Sequence, residues 1–389
     1  MRFLHTSDWH LGRTLHGQDL TEAHQLFLDH VVDLARSRQV DAVLVCGDVF
    51  DRTVPPATSI AQLQDTLRSL TAFTRVILTP GNHDSAERLG YGADFYRDVL
   101  VVRAKLEQVG TPVAVGNTVV YPLPYLDPNS ARFFFAEDEP LPRTHEAVMS
   151  AALRAVDRDL VRRRADRPDL QAVVMAHGFV LGGTATDSER DISVGGIEFI
   201  PVSVLENMGY EDAAPSGGVD YFALGHLHRP QQINATVPVH YSGSPLAFSF
   251  SEATYQKVSL VVDLTAEGAS VEAVPVPQKR ELVTLSGTFS ELTSGIHADA
   301  AEKWVRARIT DAVRPLDLVS RLKEVFPHLL HVEYIGSTSS AVERHTPQSS
   351  TKNPVETICR FLNSVSGAEV TDAQSELVET MWNEAQAQK

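Results

Sequence analysis

The stretch "VILTPGNHD" (residues 76–84) leaves an apolar run through Pro80 and Gly81 and then presents an amide, an imidazole and a carboxylate in succession. Val, Ile and Leu over strand length argue for a buried β-strand. Gly, Asn and Asp are ordinary turn residues, and Gly81 reads as the point where the chain bends sharply off its strand. Turn chemistry has no use for His83. The meaning of this strand end therefore depends on whether other strand ends carry comparable groups.

Four of them do. Short apolar runs end in polar clusters at "RFLHTSD" (2–8), "AVLVCGD" (42–48), "AVVMAHG" (172–178) and "YFALGHLH" (221–228), with helix-like stretches at 20–38 and 58–72 between the earlier ones. Strand–helix alternation predicts an α/β domain around a buried sheet. Ligands in such domains gather at the carboxyl ends of strands, where all five clusters fall. Residues 110–125 and 238–263 read as β-rich closing segments.

The clusters supply Asp8 and His10, Asp48, Asn82, His177, and His226 with His228. A two-residue spacing puts side chains on one face of an extended segment, so Asp8 with His10, and His226 with His228, can each grip one locus or two adjacent ones. Singly each residue has a structural explanation; together, at the strand ends of one sheet, they point to metal. Carboxylates, an amide and imidazoles without thiolate suit Mn²⁺, Fe or Zn²⁺. Seven ligands exceed the needs of one ion, and a carboxylate can bridge two ions about 3.5–4 Å apart. Such a pair would activate a water, neutralise an attacked phosphate and bring about four positive charges.

That charge matters, because the 389 residues carry 34 basic and 50 acidic side chains, a formal charge of −16. Unaided nucleic-acid binding relies on Lys and Arg, so an anionic substrate would need cations or a partner. Hydrophobic residues at 43% and charged residues at 22% are ordinary for a globular protein, and the length suits two or three domains. No apolar stretch approaches the roughly 18 residues of a membrane span. The start, "MRFLHTSDWHLG", does not read as a signal peptide. Cys46 and Cys359 lie far apart and suggest no disulfide framework, so a reducing cytoplasm is expected.

The Pro-rich "VPVPQKR" (274–280) reads as a boundary. Beyond it, "ELVTLSG", "KWVRARIT" and "HVEYIG" read as strands and "PLDLVSRLKEVF" as a helix, a small α+β domain over 276–340. Residues 341–353 read as a polar linker and 354–389 as a helical tail, with Thr371 and Gln374 a capping box for its second helix. Arg154, Arg158 and Arg162, with Arg163, Arg164 and Arg167 following, form a candidate DNA-facing stripe. Interleaved Asp157, Asp159 and Asp166 favour a solvated, self-paired helix instead.

In this order the motifs D-x-H, GD, GNHD, H and GHLH resemble the calcineurin-like metallophosphoesterase superfamily. More closely, "HTSDWHLGRTLHG", "GDVFDRTVPP", "TPGNHDSAERL", "TDSERDISVGG", "ALGHLHRPQ" and "YSGSPLAFSFSE" resemble the SbcD family of nuclease subunits over residues 1–280, and more weakly to the tail. The resemblance implies a β-sandwich flanked by helices over 1–275, a small capping domain and a tail that binds an ATPase partner. It implies two Mn²⁺, with Mg²⁺, Fe or Zn²⁺ possible in their place. Asp8, His10, Asp48 and His228 would hold one ion, and Asp48, Asn82, His177 and His226 the other. His83 would contact the scissile phosphate and protonate the leaving oxygen, oriented by Asp84. Relatives often carry His where this chain has Asp51, so the resemblance assigns that position no role.

The activity so implied is a DNA exonuclease and endonuclease acting on double-strand ends and hairpins, in a homodimer joined to an SbcC-type ATPase in a heterotetramer. Arg13 and His16 follow the first motif closely and are candidate DNA-phosphate contacts. Ile358, Phe361 and Leu362 on one tail helix, with Leu377, Met381 and Trp382 on the other, are candidate partner contacts; packing of both helices on their own domain is the alternative. The ligand set alone also admits a nucleotide or small-molecule phosphodiesterase, against which the cap and tail argue. A DNA-end-binding scaffold with a purely structural metal site is the other rival, and it leaves His83 without a purpose.

Overall fold

A computed structural model of the protein describes residues 1–96, 98–189, 199–335, 354–366 and 369–387. The linker read over 341–353 and residues 190–196 of "TDSERDISVGG" lie outside the described residues. The chain divides into two compact units, Met1–Glu281 and Leu282–Lys389.

The first unit has two six-stranded sheets where strand–helix alternation predicts one. One sheet runs Gly268–Pro275, Val258–Thr265, Arg2–Thr6, Ala42–Cys46, Arg75–Thr79, Leu100–Val102. Its last four strands are parallel, and Val258–Thr265 pairs antiparallel with both of its neighbours. The other sheet runs Gln231–Ile233, Val239–Tyr241, Tyr221–Gly225, Gln171–His177, Thr118–Pro122, Val113–Val115, parallel at its centre with an antiparallel strand at each edge. The segment expected to close the domain at 238–263 divides between the two sheets.

Alternation along the central strands explains the layering. Ala42, Leu44 and Cys46 share one buried cluster with Val173, Met175, Tyr221 and Ala223, which places that cluster between the sheets. Val43 and Val45 face the other way, onto Phe27, Leu28, Val31 and Leu34 of helix Thr21–Ser37 and Leu63 and Leu70 of helix Ala57–Thr71. Phe222 and Leu224 likewise turn outward onto Val148, Leu153 and Val156 of helix His145–Asp166. Both faces of each sheet are thus covered, as a largely parallel sheet requires. Truncating a side chain such as Leu44 to Ala would cost about 2–5 kcal/mol.

Sandwich packing brings the carboxyl ends of both central strand sets together. Nδ1 of His177, at the end of one sheet, donates to the carbonyl of Cys46 in the other at 3.0 Å. Gly225 sits where any Cβ would run into that same carbonyl.

The second unit has three parallel strands, Leu282–Gly287, Trp304–Ile309 and Leu329–Tyr334, with helix Leu318–Val325 before the third. The tail helices span Pro354–Ser366 and Asp372–Ala387. The expected capping box is present: Gln374 Oε1 accepts from Thr371 N at 2.9 Å, and Thr371 Oγ1 accepts from Gln374 N at 3.4 Å.

Candidate metal centre

Four of the seven predicted ligands have backbone in the left-handed region: Asp8 (φ 53°), His10 (45°), Asp48 (51°) and His226 (106°). Each such non-glycine residue costs about 1–3 kcal/mol and persists only where its surroundings over-determine it. Here they do. Asp8 N donates to Gly47 O at 3.0 Å, His10 N to Asp48 O at 2.9 Å and Leu11 N to Val49 O at 3.0 Å, zipping the first two strand-end loops together. The Asp8 carboxylate accepts from His226 N at 3.0 Å, which ties in the second sheet.

All seven predicted ligands meet in one place, supplied by both sheets. Nε2 of His10 lies 3.0 Å from Nε2 of His228 and 3.5 Å from Asp48 Oδ2. Nε2 of His177 lies 3.5 Å from the same Asp48 oxygen and 2.8 Å from Asn82 Oδ1, and His226 Nδ1 is 3.3 Å from Asn82 Oδ1. Donors sharing an ion at bonds of about 2.1 Å stand about 3.0–3.4 Å apart. The observed spacings, 2.8–3.5 Å, bracket that range, and Asp48 Oδ2 is the atom common to both halves.

The electrostatics suit a cation. Asp8, His10, Asp48, His177, His226 and His228 are between 0% and 4% exposed. Burial pushes the Asp8 carboxyl up to about 6. Burial acts the same way on Asp48, but His177, His10 and His83 overcome it and hold that carboxyl well below its ordinary value. Burial keeps His10 and His226 well below theirs, and hence neutral. Donor groups this dry are costly unless paired with a metal. Nδ1 of His10 is buried without a hydrogen bond. The residues present therefore fit a pair of divalent cations.

The GNHD motif adds a packing role at Gly81 to its sequence reading and departs from that reading at Asp84. Gly81 has no left-handed backbone; it is required because a Cβ there would strike the carboxylate and backbone nitrogen of Asp48. Asp84 does not reach the His83 imidazole. Its carboxylate accepts from the backbone N–H of Val49 (3.0 Å), Phe50 (2.9 Å) and Gly81 (2.9 Å), holding the second and third strand-end loops together. Burial, with the charge of Asp48, pushes this carboxyl up to about 7. The His83 ring is oriented instead by Asp51, whose backbone carbonyl lies 2.9 Å from Nδ1. A carbonyl only accepts, so Nδ1 carries hydrogen and Nε2 is left to exchange a proton. His83 stands edge-on to His10 with ring centroids 4.7 Å apart, a ring nitrogen within 4.8 Å of an Asp48 carboxylate oxygen.

Arg13 lies beside the centre. Its guanidinium covers the Phe248 ring at 4.7 Å and donates to Ser188 O at 2.8 Å, and the His10 ring packs on the same Phe248 at 5.3 Å. His16 packs against Phe250, 5.5 Å between centroids. A groove of about 1210 Å³, lined by Pro80, Asn82, Asp84, Arg88, Lys105 and Tyr125, leads away from the Asn82 side.

The arginine stripe is paired, within its own helix only at Asp159 and otherwise with groups off the helix. Arg162 and Arg163 bond Asp159 at 3.0 and 2.5 Å, Arg164 bonds Asp220 at 3.1 Å, and Arg154 donates to Gly209 O. Within the second unit the tail helices pack on each other, with Cys359 Sγ 3.7 Å from Ser375 Oγ. Phe361 (63%), Leu377 (60%) and Met381 (62%) are exposed, Leu362 less so, and Ile358 and Trp382 are half-buried.

Sequence reading missed the residues behind His228. Ser188, Glu189, Glu252 and Lys257 are not ligands and have no ligand-like spacing. The signal for Ser188, Glu189 and Glu252 was the pair of family-like stretches 186–196 and 241–252, to which residue spacing attaches no chemistry, and Lys257 lies outside both.

A family model described as calcineurin-like phosphoesterase matches residues 1–230, and one described as type 5 capsule protein repressor C-terminal domain matches residues 278–366. The SbcD component of the nuclease SbcCD from Staphylococcus saprophyticus is 28% identical over 384 residues, covering 97% of each chain. Among solved structures, a dimetal phosphatase from Danio rerio aligns at 14% identity and a TM-score of 0.43, covering 71% of this chain and 99% of that one. The protein TT1561 of Thermus thermophilus aligns at 12% identity and a TM-score of 0.40 over the same shares.

Proposed function

The chain belongs to the calcineurin-like phosphoesterase family, and from that premise we propose that it is the nuclease subunit of an ATP-dependent complex in DNA repair and recombination. It hydrolyses phosphodiesters at double-strand ends and hairpins with two divalent cations, Mn²⁺ foremost. The observation that carries this reading is Asp48 Oδ2, 3.5 Å from an imidazole of each sheet, at the seam of two ligand sets. Asp8, His10, Asp48 and His228 would hold one cation, and Asp48, Asn82, His177 and His226 the other. When bound, the pair supplies Lewis acidity and lowers the pKa of water.

The protein's own groups do the rest. Nε2 of His83, its partner nitrogen fixed on the Asp51 carbonyl, donates a proton to the oxygen that leaves phosphorus as the P–O bond breaks. Asp84 keeps the loop bearing Asn82 and His83 against the loop bearing Asp48. Arg13, anchored on Phe248 and Ser188, contributes positive charge next to the phosphate in a chain of net charge −16. His16 is the second phosphate contact.

DNA as the substrate, and an SbcC-type ATPase as the partner, draw support from likeness over nearly the whole length to a protein named as a component of the nuclease SbcCD, and from the second family model over the small domain and first tail helix. The exposed Phe361, Leu377 and Met381 suit a tail that docks on such a partner, in a homodimer within a heterotetramer, in the cytoplasm. No helix among the described residues is long and apolar enough to cross a membrane.

The test is cleavage of a hairpin-ended duplex with Mn²⁺, with and without the ATPase, beside bis-p-nitrophenyl phosphate and cyclic nucleotides. Metal-dependent opening of the hairpin, enhanced by the partner with ATP, is expected. Intact DNA beside cleaved nucleotides would make this a small-molecule phosphodiesterase. Deletion of residues 354–389 is expected to abolish co-purification with the ATPase.

A further inference from the structure

His228 is gripped at three atoms by groups that touch no other predicted ligand. Its backbone N donates to Glu189 Oε1 at 2.7 Å, its carbonyl accepts from Lys257 Nζ at 2.9 Å, and its ring Nδ1 lies 2.5 Å from Ser188 Oγ. Ser188 Oγ in turn lies 2.5 Å from Glu252 Oε1, and the other Glu252 oxygen meets Lys257 Nζ at 2.5 Å. Ser244 Oγ receives a further bond from Lys257 at 2.9 Å, and Phe248 N donates to Glu252 at 3.2 Å.

Glu252 is 0% exposed and Lys257 3%. A fully buried ion pair is weak evidence for stability, because an apolar pair of similar volume commonly does as well. Its geometry gives it another purpose. Glu252, paired with Lys257, is an acceptor. The Ser188 hydroxyl must then donate to Glu252, and its oxygen is left to accept from His228 Nδ1. Hydrogen is thereby fixed on Nδ1, so that the neutral ring offers its lone pair at Nε2, the atom 3.0 Å from His10 Nε2 at the metal locus.

We infer that Ser188 and Glu252, backed by Lys257, are positioning residues that set the tautomer and orientation of His228 through a hydroxyl relay, preparing one of the two cation sites before any ion arrives. The inference rests on the two-cation reading for its effect on binding, but the relay itself exists in the metal-free chain. Carboxylates behind ligating histidines typically matter 10- to 100-fold for metal affinity; here the carboxylate acts one hydroxyl further away.

The experiment uses the full chain with ¹⁵N-labelled histidines, His228 assigned by its loss in His228→Asn, and Mn²⁺ calorimetry in parallel. In the metal-free wild type, His228 should show the Nδ1–H tautomer, and two Mn²⁺ should bind. Ser188→Ala should lower the melting temperature only modestly, since Glu252 Oε1 keeps the Phe248 N–H, shift the His228 ring signals toward mixed tautomers and weaken one Mn²⁺ by about 10- to 100-fold, leaving the other unchanged. Ser188→Thr, which keeps the hydroxyl, should restore both readouts. The double variant Glu252→Leu/Lys257→Met removes the acceptor and its cation together and should reproduce Ser188→Ala. Unmoved ring signals with two ions at wild-type affinity in Ser188→Ala would overturn the relay. So would equal weakening of both ions with a strongly lowered melting temperature, the signature of a merely structural role. A wild type binding fewer than two Mn²⁺ would overturn the two-cation reading, while the metal-free ring signals would still decide the relay.

Discussion

Asp48 reaches an imidazole that the opposite sheet supplies: its Oδ2 lies 3.5 Å from Nε2 of His177. The same oxygen is 3.5 Å from His10, so one carboxylate joins two ligand groups carried by separate sheets. Asp48→Ala should therefore remove both cations, where loss of a ligand to one ion alone would spare its neighbour. The expected result is loss of tight Mn²⁺ uptake at both sites, each affinity falling by at least about 100-fold, with activity falling alongside. Calorimetry showing one site intact would refute Asp48 as the shared ligand.

His83 and Asp84 are adjacent in sequence but should fail differently. Asp84 accepts from three backbone amides, so Asp84→Asn replaces an acceptor with an N–H donor facing donors and should cost about 1–3 kcal/mol of stability. The folded fraction should keep its turnover. His83→Ala touches none of those bonds; it should leave melting temperature and Mn²⁺ uptake unchanged and reduce turnover by about 10²- to 10⁴-fold. Thermal melts and steady-state rates on both variants separate the roles. Wild-type turnover in His83→Ala would remove it as proton donor.

Gly81 tests the packing of the centre without replacing a ligand. A methyl there meets the Asp48 side chain and backbone nitrogen together, and neither can move without breaking the loop contacts around it. Gly81→Ala should behave as a metal-site variant, with reduced Mn²⁺ stoichiometry and a destabilisation of about 1–3 kcal/mol. Normal uptake of both ions would show that the loop yields more easily than its hydrogen bonding indicates.

The strand ends that build the centre were legible because each is a short apolar run closed by a polar cluster, a pattern that buried parallel strands impose. Helices 21–37 and 57–71 fell within a residue of their expected bounds for the same reason, periodicity. The split into two sheets was not legible from alternation: a strand buried on both faces reads as continuous apolar sequence and does not say which strands it pairs with. Asp84 was misplaced because adjacency suggested contact with His83, while its side chain turns to backbone amides that no sequence pattern marks. Gly81 stands at the bend where it was expected, but close approach across the loops, which excludes a side chain, was not legible. Ser188, Glu252 and Lys257 were invisible for a different reason. They act through one another from distant parts of the sequence, in no ligand spacing, and only the fold brings them behind His228.

The protonation of His177 sets a pH dependence opposite in sign for the metal-free and metal-loaded protein. Burial pushes this imidazole's pKa down, but the charge of Asp48, its hydrogen bond and the charge of Asp8 outweigh burial and raise it to about 9. A folded value above the ordinary 6.5 means the protonated ring stabilises the metal-free fold fully below about pH 6.5, and that contribution is lost as pH climbs through 9. A metal ligand must be deprotonated, so Mn²⁺ affinity should rise over the same window, and binding at about pH 7.5 should release a proton. Calorimetry in two buffers of different ionisation enthalpy measures that release, and thermal melts of metal-free protein from pH 6.5 to 9 should show a falling midpoint. His177→Gln should flatten the melt profile and suppress the proton release. Wild-type binding near neutral pH without proton release would show that the ring is already neutral and that Asp48 is paired in some other way before metal enters.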